Sequence, residues 1–231
     1  MWLRNPRFQR LVGGGILERI SIGAVARMEL MSLSGHKEPA VLNLIRDMRR
    51  KRRSLTTANE AFLCHTIARA QSRLDGAMAE VGVYEGGTAR MICEAKGDRA
   101  LYLFDTFEGL PEPTESEKQV HREHQYTTSF ERVKKFLEPY SNVHMYKGYF
   151  PATAGPIENL KFSFANFDVD LYQSTLDCLN FFYPRMLPGG IMLSHDYSVL
   201  AGVRQAFAEF LEGKPEDIIE LPTTQCMLIK R

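Results

Sequence analysis

A chain of 231 residues with a formal net charge of +1 is long enough for one domain with a sizeable core. It carries no overall field that would draw DNA, RNA or an anionic membrane, so nucleic-acid binding is set aside. The four cysteines (Cys64, Cys93, Cys178, Cys226) lie scattered in apolar contexts without a Cys-x-x-Cys pair. They read as buried reduced thiols of a cytoplasmic protein, not as a disulfide frame or zinc site.

Residues 1–55 are helical in character and rich in arginine, with Arg4, Arg7 and Arg10 preceding the first acidic residue, Glu18. A transit peptide shares that pattern. The reading preferred here is a helical extension that packs on the domain or on a second copy of the chain, giving a homo-oligomer. Its apolar stretches, 11–17 and 20–26, are short and split by Glu18-Arg19, so neither spans a bilayer. The run Arg49-Arg50-Lys51-Arg52-Arg53 reads as a solvated helix end, where positive charge suits the dipole.

From residue 56 the pattern becomes regular, and 56–231 reads as one domain. Thr57 with Glu60 three positions on predicts a capping box opening a helix. Asp75-Gly76 turns the chain into a first strand at 77–81, followed by a helix over 86–95 and a second strand at 100–104. A long polar segment, 106–128, precedes a helix over 130–137 with apolar residues at helical spacing. Strands follow at 143–146, 162–167 and 190–194, with helices over 174–186 and 199–211. The segments 218–221 and 226–229 flank Pro222-Thr223-Thr224 as a closing hairpin. Alternating strands and helices predict a doubly wound α/β fold whose seven-stranded sheet is mostly parallel, with one antiparallel strand from the hairpin.

In such sheets the binding crevice lies at the carboxyl ends of the strands. The first strand ends in Glu80-Val81-Gly82-Val83-Tyr84-Glu85-Gly86-Gly87-Thr88, a glycine turn that lets backbone approach a ligand. Its spacing is not the Gly-x-Gly-x-x-Gly of dinucleotide binding. Asp105 closes the second strand, where a carboxylate can accept both hydroxyls of an adenosine ribose. Glu80 suits the cationic end of a ligand better than a pyrophosphate; otherwise it caps a loop or pairs with Arg90. The combination resembles the class I S-adenosylmethionine-dependent methyltransferases, which implies cofactor contacts at Glu80, Gly82, Tyr84, Gly86, Gly87, Thr88, Asp105, Thr106 and Gly148.

Asp168 and Asp170 flank Val169, so their carboxylates project together if the fourth strand continues that far. If the fourth and fifth strands are neighbours, Asp196 lies roughly 5 Å away. Three carboxylates that close call for a cation or shared protons, and oxygen ligands suit Mg²⁺. The alternative for Asp170 is a cap on the following helix. His121 and His124, within 106–128, lack a third ligand nearby in sequence and read as part of a mobile lid.

More specifically, Glu80–Gly87, Phe104-Asp105-Thr106-Phe107-Glu108-Gly109-Leu110-Pro111, Lys147-Gly148-Tyr149-Phe150, Asp168–Thr175, Tyr183–Gly190 and His195-Asp196-Tyr197 occur in order. This string resembles the macrocin O-methyltransferase (TylF/MycF) family, whose members methylate sugar hydroxyls on macrolide and aminocoumarin antibiotics. The resemblance implies a divalent metal at Asp168 and at the pair His195/Asp196, with Asp170 as general base and a small-molecule acceptor. Two positions depart from the family pattern: Val169 stands where glycine is usual, and His195 where aspartate is. The imidazole can ligate a softer ion, act as a second base or point away from the site. Other readings of the same residues are a catechol-type O-methyltransferase and a silent methyltransferase-like scaffold.

Overall fold

The computed structural model describes residues 2–51 and 54–231, so Arg52 and Arg53 of the basic run lie outside the described residues. Three helices come first: α1 (Pro6–Val12), α2 (Ile16–Ser34) and α3 (Pro39–Arg50). α4 (Ala58–Gln71) opens with the expected capping box, Thr57 accepting from the Glu60 amide and the Glu60 side chain from that of Thr57. The alternating part runs β1 (Ala77–Val81), α5 (Gly87–Cys93), β2 (Leu101–Asp105), α6 (Phe130–Leu137), β3 (Val143–Lys147) and β4 (Phe162–Phe167). It continues with α7 (Tyr172–Phe182), β5 (Met186–Ser194), α8 (Ala201–Leu211), β6 (Ile218–Glu220) and β7 (Cys226–Ile229).

One seven-stranded sheet has the order β3-β2-β1-β4-β5-β7-β6. β7 alone runs antiparallel to its neighbours, β5 and β6, as the hairpin reading requires. The order reverses between β1 and β4, which pair directly from Met78↔Phe164 to Val81↔Phe167. All six residues of β4 are buried, as expected of a parallel strand covered on both faces. The helix expected over 174–186 starts earlier and gives way to a 3₁₀ turn at Tyr183–Arg185, because Pro184 cannot continue an α-helix.

One apolar cluster packs Cys178, Leu179 and Phe182 of α7 and Phe207 of α8 against Phe162 and Phe167. A second packs Ala68, Ile92 and Val133 against Met78, Leu101 and Phe164. A third joins Ala26, Leu33, Leu42, Ile45 and Met48 of the N-terminal helices to Ala58, Ala61 and Met91. The extension therefore shares a core with α4 and α5. It also reaches the far side of the crevice, where Arg4 Nε donates to the Ser198 carbonyl at 2.6 Å and Gln9 Nε2 to that of Val199 at 3.0 Å. Phe182 stacks on Phe150 and meets Phe162, Phe167 and Phe181. Phe182→Ala is expected to cost about 3–5 kcal/mol in equilibrium urea unfolding; a loss below 1 kcal/mol would mean the cluster repacks.

Candidate active site

A crevice opens where the strand order reverses, at the carboxyl ends of β1 and β4. Gly82, with φ +86°, begins the loop after β1 and donates its amide to the Phe104 carbonyl at 2.9 Å. A Cβ at this position would stand 1.9 Å from the Asp168 carbonyl oxygen. Glycine is thus demanded by the neighbouring strand end as well as by any ligand. Gly86, also left-handed, is the N-cap of α5 and faces Val133 and Phe136 behind the crevice.

Asp105 holds this loop in shape. Its Oδ2 accepts from the Val83 and Tyr84 amides at 2.7 and 2.8 Å, and its Oδ1 from Phe107 at 2.6 Å. Burial raises its carboxyl, and those amides oppose the shift. A residue read from the sequence as a ribose acceptor therefore has a structural duty too, with lone-pair capacity left over. Tyr84, Gly87, Thr88, Asp105, Thr106 and Gly148 all line the crevice. The Gly148 amide is bonded to the Asp105 carbonyl at 2.9 Å.

Glu80 lies beneath the crevice, fully buried and opposite Asn166 in the β1–β4 register. Asn166 Nδ2 donates to Glu80 Oε1 at 2.9 Å, while Glu80 Oε2 has no partner within hydrogen-bond geometry among the described residues. Arg90, its alternative partner in the sequence reading, instead pairs with Asp47 at 2.5 Å. Burial pushes the Glu80 carboxyl up to about 8, and the charges of Asp168 and Asp105 add to the shift.

Asp168, Asp170 and Asp196 converge, with ligand oxygens all within 4.8 Å of one another. The route differs from the strand alternation expected. β4 ends at Phe167, and both Asp170 and Asp196 adopt left-handed backbone with φ +60°. Non-glycine residues enter that region at a cost, and such outliers gather at functional sites. Asp170 is not the cap of α7; the N-cap is Leu171, and it has no side-chain capping bond. Burial and mutual repulsion hold the Asp170 and Asp196 carboxyls well above the usual range and raise Asp168, which His195 partly offsets.

His195 lines the same crevice but is not a member of the converging group among the described residues. Its Nε2 lies 3.0 Å from the amide nitrogen of Gln225. His121 and His124 do not form a pair: His121 is buried and burial pushes its ring down to about 4, whereas exposed His124 contacts the Glu108 carbonyl through Nδ1 at 3.0 Å.

Several lining residues carry no sequence signal. Glu18 of α2 enters the crevice and takes hydrogen bonds from the Gly14 amide at 2.8 Å and the Tyr126 hydroxyl at 3.2 Å. Tyr126 comes from the 106–128 segment, whose Gly109, Leu110 and Pro111 also line the site. Arg19 donates to the Tyr84 hydroxyl, tying α2 to the glycine loop. Only the polarity change at Glu18-Arg19 within an apolar stretch could have marked these positions.

Fold and site together define a class I O-methyltransferase architecture. Solved relatives with the same fold include the O-methyltransferase NovP (TM-score 0.68, 22% identity, covering 77% of this chain and 82% of that one). The calicheamicin methyltransferase CalS11 is as similar (TM-score 0.68, 17% identity, 87% and 90% covered). The macrocin O-methyltransferase (TylF) family model matches residues 53–225, and the chain belongs to that family. It is 32% identical over 168 residues to mycinamicin III 3''-O-methyltransferase of Micromonospora griseorubida, covering 63% of this chain and 65% of that one. It is 31% identical over 140 residues to an 8-demethyl-8-(2,3-dimethoxy-alpha-L-rhamnosyl)-tetracenomycin-C 4'-O-methyltransferase of Streptomyces olivaceus, covering 54% of each. The matched stretches thus span between about half and two thirds of the length of these curated relatives. No helix among the described residues is long and apolar enough to cross a membrane, and the four cysteines are free and buried.

Two outcomes follow from this geometry. Gly82→Ala is expected to destabilise the fold by more than about 3 kcal/mol, because backbone has to move on both strands; a change within 0.5 kcal/mol would remove the contact from the account. Burial favours the protonated form of Glu80 in the folded protein up to about pH 8, whereas unfolded it ionises near the ordinary 4.5. Its contribution to stability therefore falls as pH rises between those values and is constant above them. Without cofactor, Glu80→Gln should gain stability on the wild type from pH 5 to pH 8 in paired denaturation curves. A pH-independent difference would contradict the burial argument.

Proposed function

We propose that the chain is an S-adenosylmethionine-dependent O-methyltransferase for a hydroxyl of a sugar on a glycosylated small molecule, assisted by a divalent cation. The observation that carries the reading is the convergence of Asp168, Asp170 and Asp196 beside the glycine loop that ends β1. The donor set fits a hard cation: three half-buried carboxyl groups crowd together, and oxygen-only ligands with room for water suit Mg²⁺. The loop side fits the cofactor. Glu80 offers a buried oxygen without a hydrogen-bond partner among the described residues, beneath a crevice whose described lining carries no arginine or lysine for a pyrophosphate. The sugar acceptor is supported by the family and by a relative whose name carries a rhamnosyl group.

When bound, the cofactor supplies a methyl group on a sulfonium, and the cation at Asp168 and Asp196 lowers the pKa of an acceptor hydroxyl. Asp170 would accept the hydroxyl proton at a carboxylate oxygen as the methyl group passes to the acceptor oxygen. Asp105 keeps the Val83 and Tyr84 amides in place, which fixes the loop against which the cofactor lies. Glu80, protonated without the cofactor, would ionise against its ammonium end. Tyr126 and Glu18 close the acceptor side and exclude water. The buried reduced thiols suit the cytoplasm. Ile16, Ile20, Met28 and Met31 leave α2 with an exposed apolar face on which a second copy of the chain could pack.

The test is transfer of labelled methyl from S-adenosylmethionine to a panel of vicinal-diol glycosides and catechols. Turnover should appear with glycosides, require Mg²⁺ and vanish on chelation, while S-adenosylhomocysteine still binds in calorimetry. Asp170→Asn should keep that binding and lose about a hundredfold or more in kcat. A near-normal rate in the variant would remove Asp170 as the base, and turnover of catechols alone would replace the sugar acceptor.

A further inference from the structure

The turn before β7 reaches into the active site. β7 pairs antiparallel with β5, and the register Ser194↔Cys226 brings the next residues outward, His195 and Gln225, face to face. Both are buried, Gln225 fully, and the Gln225 amide nitrogen lies 3.0 Å from His195 Nε2. Gln225 is itself fixed. Its Oε1 accepts from the Thr223 hydroxyl at 3.2 Å, and the Thr224 hydroxyl donates to Glu60 Oε1 at 2.6 Å. The other Glu60 oxygen accepts from the Thr57 amide at 2.8 Å, so the turn is pinned to the capping box of α4.

An imidazole beside Asp168 and Asp196 would ordinarily be a strong candidate ligand for any cation there, since neutral histidine binds most divalent metals. Here Nε2 faces the Gln225 amide nitrogen, a donor, at 3.0 Å. A neutral ring that accepts there carries its proton on Nδ1, and a charged ring carries protons on both nitrogens, so neither form has a lone pair free for a cation. We propose that Gln225 is a positioning residue that holds His195 out of the cation site, so that the cation is ligated by oxygens alone. This rests on the cation reading above. It also accounts for how histidine is tolerated next to Asp196 without recruiting a softer metal: the hairpin restrains the ring.

Co²⁺ titrated into the full-length protein, followed by its visible absorption and by competition with Mg²⁺, tests this without turnover. Wild type and His195→Ala should give the same weak spectrum of an oxygen-ligated ion. Gln225→Leu should free the ring, intensify and shift the Co²⁺ bands, and raise the Co²⁺-over-Mg²⁺ affinity ratio by about tenfold or more. Adding His195→Ala to that variant should return the spectrum to the wild-type form. A Gln225→Leu spectrum identical to wild type would overturn the proposal, as would a changed spectrum in His195→Ala alone. The second comparison decides the matter even if Gln225→Leu does not fold. No Co²⁺ uptake by wild type, with S-adenosylhomocysteine still bound, would overturn the cation reading itself.

Discussion

The end of β1 and the residue after β4 meet more closely than a methyl group allows. Gly82 lies so near the Asp168 carbonyl that any side chain would overlap it, and the Asp168 amide donates back to the Val81 carbonyl at 2.9 Å. This contact sits where the strand order reverses, the point at which an open α/β sheet parts to form a crevice. It makes one body of the glycine loop on one side and the carboxylates on the other. A shift of either strand end moves both, so a ligand on the loop and a group on the carboxylates are held in fixed relation.

Around that contact the chain gathers an excess of carboxyl groups. Glu80, Asp105, Asp168, Asp170 and Asp196 share one region, and burial raises every one of their carboxyls. Asp105 is partly relieved by backbone amides, Asp168 by His195 and Asp170 by a hydrogen bond with Asp196, whereas Asp196 is raised further by Asp170 and Asp168. Left-handed backbone at both positions adds local strain to that repulsion. The rest of the structure sustains the arrangement: three apolar clusters hold the sheet and helices rigid, and the N-terminal helices tie across the mouth. Carboxyl groups collected in this way are suited to cationic ligands and hostile to phosphates.

Local signals made most of the fold readable from the chain. The Thr57/Glu60 capping box, the helix over 130–137 and the closing hairpin all depend on residues within a few positions of one another, and all are present. Asp168, Asp170 and Asp196 were legible as a group because strand ends converge in this topology, yet the reason given for the first two was incomplete. Strand alternation stops at Phe167, and the φ of Asp170 brings its carboxylate round instead. The duty of Asp105 toward the Val83 and Tyr84 amides was hidden, since a loop bent back on a neighbouring strand leaves no mark in spacing. Glu18 and Gln225 were missed for a related reason. Glu18 meets Tyr126 from 108 residues away and Gln225 meets His195 through strand register, and beyond the polarity change at Glu18-Arg19 nothing beside them in the sequence marks either.

Everything turns on whether Asp168 and Asp196 hold a cation beside Asp170 and next to the cofactor loop. Anomalous diffraction from crystals grown with Mn²⁺ and S-adenosylhomocysteine measures this directly. The account predicts one strong peak among Asp168, Asp170 and Asp196, with the ligand lying along Gly82–Tyr84. A fully occupied ligand with no peak at those carboxylates, or a peak elsewhere, would contradict it.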